Sequence, residues 1–148
     1  MSKVANYNIS LKCFLKNKNW EVLILKSPEN SSFKWLYDFP WWRIDEDEFE
    51  VDYVEILKRE IFEESWILKV EVKDKTVAIW RHKAIKVWKE DESIFYVFFE
   101  WFIEDENQKV IISHEHVGFE WIKLEEIKLE DYFISWYLEW VKMYLGKN

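Results

Sequence analysis

Residues 59 to 67 read Arg59-Glu60-Ile61-Phe62-Glu63-Glu64-Ser65-Trp66-Ile67. On a helix of 3.6 residues per turn, positions i, i+3 and i+4 share one face. Glu60, Glu63 and Glu64 then stand side by side. Like charges so placed repel, at about 0.2–0.5 kcal/mol per pair in an isolated helix. A bound divalent cation would remove that cost, and hard cations prefer carboxylate oxygens while keeping several waters. A solvated acidic face is the plainer reading of the same spacing. Just upstream, Val54, Leu57 and Ile61 recur at i, i+3 and i+7. They predict an amphipathic helix over 54–65, with a buried stripe beside the acids.

Working outward, residues 39–48 read Phe39-Pro40-Trp41-Trp42-Arg43-Ile44-Asp45-Glu46-Asp47-Glu48. The two segments together resemble the Nudix (MutT-like) hydrolases. That family's box has glycine, five residues, Glu, seven residues, then Arg-Glu-U-x-Glu-Glu-x-Gly-U, where U is aliphatic. Segment 59–67 agrees at every position but one, with Trp66 where the family has glycine. Trp41-Trp42 stands where a Gly-Gly pair is common, and Glu48 follows Trp42 at the expected spacing. Ten residues, not seven, separate Glu48 from Arg59, which reads as a three-residue insertion ahead of the helix.

The resemblance implies an α/β chain, a Nudix-type α/β/α sandwich with a mixed central sheet. It implies Mg²⁺-dependent hydrolysis of a nucleoside diphosphate linked to another moiety, with Mn²⁺ as a possible substitute. Glu60 and Glu64 would bind the metal, Glu63 would bind it or order its waters, and Arg59 would pin Glu60. The backbone carbonyl of Trp42 would also reach the ion, and Glu48 would be structural. Many members add an acid from a later loop, and Glu115, in Ser113-His114-Glu115-His116-Val117-Gly118-Phe119-Glu120-Trp121, is the candidate ligand or general base here. His116 reads as a turn residue. A zinc cluster around it is disfavoured, because three His and one Cys supply poorly the four N or S ligands of a structural zinc site. The other moiety stays open: sugar nucleotides, dinucleoside polyphosphates, ADP-ribose and oxidised nucleoside triphosphates all fit the box.

The departures follow one rule, tryptophan where glycine is expected. Trp41, Trp42 and Trp66 are three cases. Trp20, after Asn19 and between two alternating runs, is a fourth, where Asn-Gly would make a hairpin turn. Trp88 lies in a polar stretch. The chain holds 2 Gly and 11 Trp, whereas ordinary usage gives about 7% glycine. A gene that encodes glycine by UGA, translated with a table that reads UGA as Trp, would produce this pattern. Trp20, Trp35, Trp41, Trp42, Trp66, Trp80, Trp88, Trp101 and Trp136 are all open to that reading. Trp121 and Trp140 suit their apolar settings. If the rings are genuine, the expectation is an impaired Nudix-fold nucleotide-binding or regulatory module.

At 148 residues, 49% hydrophobic and 34% charged, the chain reads as one globular domain spanning 1–148. A net charge of −8 disfavours a nucleic-acid polymer as partner. It allows a small nucleotide whose charge is carried by metal ions. A lone cysteine, Cys13, reads as a core residue in a reducing compartment. With no apolar leader and no run near ~18 apolar residues, the expectation is a cytoplasmic monomer or homodimer without a membrane partner.

Strands are expected at 7–15, 21–26, within 67–79, at 93–103 and at 117–122, with a loop at 28–32 and closing helices over 124–145. Segment 93–103 is apolar throughout and reads as a central strand buried on both faces. The basic alternation of Arg81, Lys83, Lys86 and Lys89 reads as a solvated edge strand. Tyr37 and Phe39 read as core.

Overall fold

The computed structural model describes residues 2–31 and 36–147; Ser32 of the expected loop and Trp35 lie outside them. The elements in chain order are β1 (Asn8–Lys16), β2 (Val22–Lys26), β3 (Tyr37–Asp38), β4 (Trp41–Arg43), a 3₁₀ turn (Glu46–Glu48) and α1 (Tyr53–Ser65). There follow β5 (Val70–Glu71), β6 (Thr76–Ala84), β7 (Glu92–Ile103), β8 (Gly118–Ile122), a second 3₁₀ turn (Leu129–Asp131) and α2 (Ser135–Tyr144).

The eight strands form one mixed sheet. β1 is its axis. It pairs in parallel with β7 over Asn8↔Ile94 to Lys16↔Phe102 and antiparallel with β4 through Ser10↔Arg43, Leu11↔Trp42 and Lys12↔Trp41. β2 joins the end of β1 at Lys16↔Val22 and carries β3 and β8, both antiparallel. β5 and β6 pair antiparallel with β7.

Alternation on these strands sorts side chains between two faces. Leu11, Cys13 and Leu15 of β1, Leu23 and Leu25 of β2, and Phe99 and Trp101 of β7 pack against Ile56, Leu57 and Ile61 of α1. Phe14, Val22, Ile24, Tyr96 and Phe98 face the other way, onto Trp140 and Val141 of α2. One helix therefore covers each face of the sheet, the α/β/α sandwich that the box implied. Cys13 is fully buried, and burial pushes its thiol pKa up.

Two short strands, β3 and β4, form where the sequence reading assigned no strand. β3 pairs with β2 and β4 with β1, and the box segment is locked onto β1 where Cys13 N–H donates to the Pro40 carbonyl at 3.0 Å and Ile44 N–H to that of Ile9 at 2.9 Å. The closing segment forms one helix of ten residues and a 3₁₀ turn, shorter than the 124–145 span suggested. Among the described residues β6 pairs with β7 alone; Arg81 and Lys83 lie on this edge strand, whereas Lys86 and Lys89 fall beyond its end at Ala84. No helix among the described residues is long and apolar enough to cross a membrane.

Candidate metal centre

Helix α1 begins where the Asp52 side chain accepts a hydrogen bond from Val54 N–H at 2.7 Å, satisfying one orphan donor of the first turn. It ends at Trp66, whose backbone is left-handed at φ 59° and donates to the Phe62 carbonyl. Between the caps, Ile56, Leu57 and Ile61 bury their side chains in the core, and Glu60 and Glu64 are carried down with them. Glu63 stays exposed.

Arg59 organises the near side. Its Nη2 donates to Glu48 Oε1 at 2.5 Å and to Glu60 Oε1 at 2.9 Å, and its Nε donates to Glu60 Oε1 at 3.1 Å. Glu63 Oε1 lies 3.9 Å from the same Nε. Glu48 Oε2 accepts from the Trp42 indole at 2.7 Å and from Asp45 N–H at 3.0 Å. The segment between Glu48 and α1 thus loops out while Glu48 keeps its contact with Arg59. Glu48 is structural: burial works against its charge, but these donors hold its pKa below the ordinary value.

Glu64 lies on the far side. Its Oε2 accepts from Trp41 N–H at 3.1 Å, and its Oε1 lies 3.4 Å from His116 Nε2. Among the described residues, Glu64, Glu115 and His116 are the trio of possible metal ligands whose donor atoms fall within 4.8 Å of one another. The Trp42 carbonyl accepts a hydrogen bond from the Ser10 hydroxyl at 3.2 Å, which leaves its second lone pair for another donor or an ion. His116 differs from the expectation. Its N–H does close a turn on the Ser113 carbonyl, but the ring is buried against Glu64 and its Nδ1 has no hydrogen-bond partner.

The electrostatics are those of acids short of counter-charge. Burial pushes Glu60 up to about 7, against the pull of Arg59 and with further upward push from Glu63 and Glu64. Burial also raises Glu64, against a downward pull from His116 and the Trp41 amide. Desolvated carboxylates that resist ionising are a donor set suited to a hard divalent cation. Beside them a cleft of about 270 Å³ is lined by Lys12, Asp38, Trp41, Tyr96, His116 and Tyr137, among others. On its floor Lys12 donates to Asp38 at 2.7 Å while 2% exposed.

No model of a known protein family matches this sequence, and no curated protein does either. Solved structures do. A MutT protein from Methanosarcina mazei Go1 superposes with a TM-score of 0.69 at 21% identity, over 98% of this chain and 95% of that one. A Nudix hydrolase from Nitrosomonas europaea gives 0.69 at 18% identity, over 97% and 73%. A C. elegans Ap4A hydrolase gives 0.63 at 19% identity, over 94% and 96%. At such identities the likeness is one of backbone architecture, and it extends over nearly the whole length: this chain has the fold of the Nudix hydrolases.

Proposed function

We propose that this single domain is a divalent-metal-dependent hydrolase that splits the phosphoanhydride of a nucleoside diphosphate linked to another group. One observation carries the reading. On the fold shared with the M. mazei MutT protein and the C. elegans Ap4A hydrolase, Arg59 ties Glu48 to Glu60 on the helix that also presents Glu64. Glu60, Glu63, Glu64, the Trp42 carbonyl and Glu115 would hold a divalent cation, Mg²⁺ or Mn²⁺. A divalent ion there supplies charge neutralisation at phosphate and a water acidic enough to attack.

The chain's own residues do the rest. Arg59 fixes Glu60 Oε1 through two N–H donors, which sets where that carboxylate aims. Glu63, facing solvent, orders the attacking water. The cleft over Lys12 and Asp38 takes the nucleoside beside Tyr96 and Tyr137. The substrate is a small nucleotide, and the compartment is the cytoplasm, in keeping with one buried, unpaired cysteine.

We also infer that the translated protein carries glycine at several tryptophan positions. Trp20 has φ 64° and Trp66 φ 59°. The first sits in the β1–β2 turn and the second just past α1, positions that favour glycine. Trp88 is 94% exposed, with nothing to repay a bare indole. Trp101, by contrast, is fully buried and donates to the Lys73 carbonyl at 3.0 Å, and it reads as genuine. UGG codons at 41, 42 and 66 would end this reading and favour a nucleotide-binding module instead.

Two assays test the function. The chain with glycine at 20, 41, 42 and 66 is offered a nucleotide panel with Mg²⁺, scoring released monophosphate and pyrophosphate. Turnover is expected, and Glu64→Gln should abolish it while the circular-dichroism spectrum stays unchanged. Near wild-type turnover by that variant refutes the assignment.

A further inference from the structure

The loop that carries Glu115 and His116 is fastened to the end of α1. Ile111 N–H donates to the Ser65 carbonyl at 3.0 Å and Ser113 N–H to the Glu64 carbonyl at 3.2 Å. Val117 N–H, just beyond, donates to the Lys26 carbonyl at 3.0 Å. The helix residue whose carboxylate meets His116 is therefore the one whose backbone holds the loop. The His116 side chain is 8% exposed. Its Nδ1 makes no hydrogen bond, so no partner on that side fixes which nitrogen carries the proton. Nε2 can present its lone pair beside Glu64 Oε1, 3.4 Å away.

That separation suits two ligands of one ion. With metal–ligand bonds of about 2.1 Å, neighbouring donor atoms lie roughly 3.0–3.4 Å apart. Glu115, on the same loop and exposed, offers the next oxygen within 4.8 Å. The donor set is then two carboxylates and an imidazole. Imidazole is a poor ligand for Mg²⁺ and a good one for first-row transition ions, whose affinities rise from Mn²⁺ along the series.

We propose that Glu64, Glu115 and His116 form a divalent-cation site in which the imidazole nitrogen makes the ion a transition metal of the Mn²⁺ type in preference to Mg²⁺. This rests on the reading of Glu64 and Glu115 as cation ligands, and it adds His116 and the choice of metal.

The test is ion binding by the full chain without nucleotide. Free Mn²⁺ is followed by its electron paramagnetic resonance signal, and Mg²⁺ is then added as competitor. The wild-type chain should bind Mn²⁺ and resist displacement by equimolar Mg²⁺. His116→Gln should weaken Mn²⁺ binding roughly tenfold or more while Mg²⁺ binding holds, so that the preference collapses. His116→Ala should do the same, and an unchanged far-ultraviolet spectrum separates that loss from unfolding. Glu115→Gln, at an exposed position, is the second check and should weaken both ions. If the Mn²⁺-to-Mg²⁺ ratio is equal in wild type and His116→Gln, the imidazole only packs against Glu64 and the proposal falls. Mg²⁺-driven hydrolysis in that same case would leave the hydrolase reading standing. No binding of either ion by the wild-type chain would overturn both.

Discussion

Trp20 and Trp66 show how a single side chain can oppose its own backbone. Both have left-handed φ, where a Cβ is strained by about 1–3 kcal/mol. Both rings are more than half exposed, so burial offsets little of that cost. Trp66→Gly is therefore expected to stabilise the fold by about 1 kcal/mol or more. Urea unfolding of the two chains measures it. An equal or lower midpoint for the glycine chain would show that Trp66 belongs there. The opposite case is Asp38. It holds the buried Lys12 ammonium at 2.7 Å and also accepts from Phe39 N–H at 2.7 Å. Asp38→Asn leaves an uncompensated buried charge and should cost about 3–5 kcal/mol, read as a fall in the same midpoint. The Trp-for-Gly anomaly was legible in the sequence, because the turn and cap chemistry at 20 and 66 is local. The Lys12–Asp38 pair was not, since nothing in an alternating strand says that a lysine will face inward with its partner two strands away.

At the scale of elements, helix α1 was legible almost to its ends, because an acidic face and an apolar stripe repeat along it with helical period. β7 was legible too, as a long apolar run. β4 was not. Three residues are too few to show alternation, and Trp41–Arg43 becomes a strand only because β1 lies alongside to pair with it. The same limit hid His116. It meets Glu64 across 52 residues of sequence, through a loop whose path is set by backbone bonds to α1. Within α1, Arg59 is the residue that joins box loop to helix. Arg59→Ala removes the donors to both Glu48 and Glu60. The carboxylates then lose the group that aims them, and about a 10–100-fold loss of metal affinity or activity follows. Mg²⁺ titration of the hydrolysis rate reads that loss. A rate curve superposing on that of the unaltered chain would show that Glu60 needs no such guide.

Taken whole, the molecule places one helix on each face of a mixed sheet and buries two acids of α1 where the box segment crosses β1. That burial has a sign that pH can reveal. Glu60 is pushed by desolvation from the ordinary 4.5 to about 7 in the folded chain, and Glu64 is pushed in the same direction. Between those two values the folded chain holds protons that the unfolded chain has already released. Stability therefore falls as pH rises through this window, and the contribution present below pH 4.5 is lost above about 7. Glu48 and Glu92 are shifted the other way, Glu92 chiefly by its bond from Lys86, so their contribution is lost only as pH falls through their lowered values. Without metal, the melting temperature should thus peak near the ordinary carboxylate range and decline toward neutrality. A divalent cation favours the ionised carboxylates and should reverse the decline. Thermal melts in EDTA across this range, repeated with excess Mg²⁺ or Mn²⁺, measure both effects. The metal-induced rise should be small at acid pH and largest above pH 7. A melting temperature that climbs toward neutrality in EDTA, with no added rise from either ion, would mean that these buried acids carry their charge unaided and gather no cation.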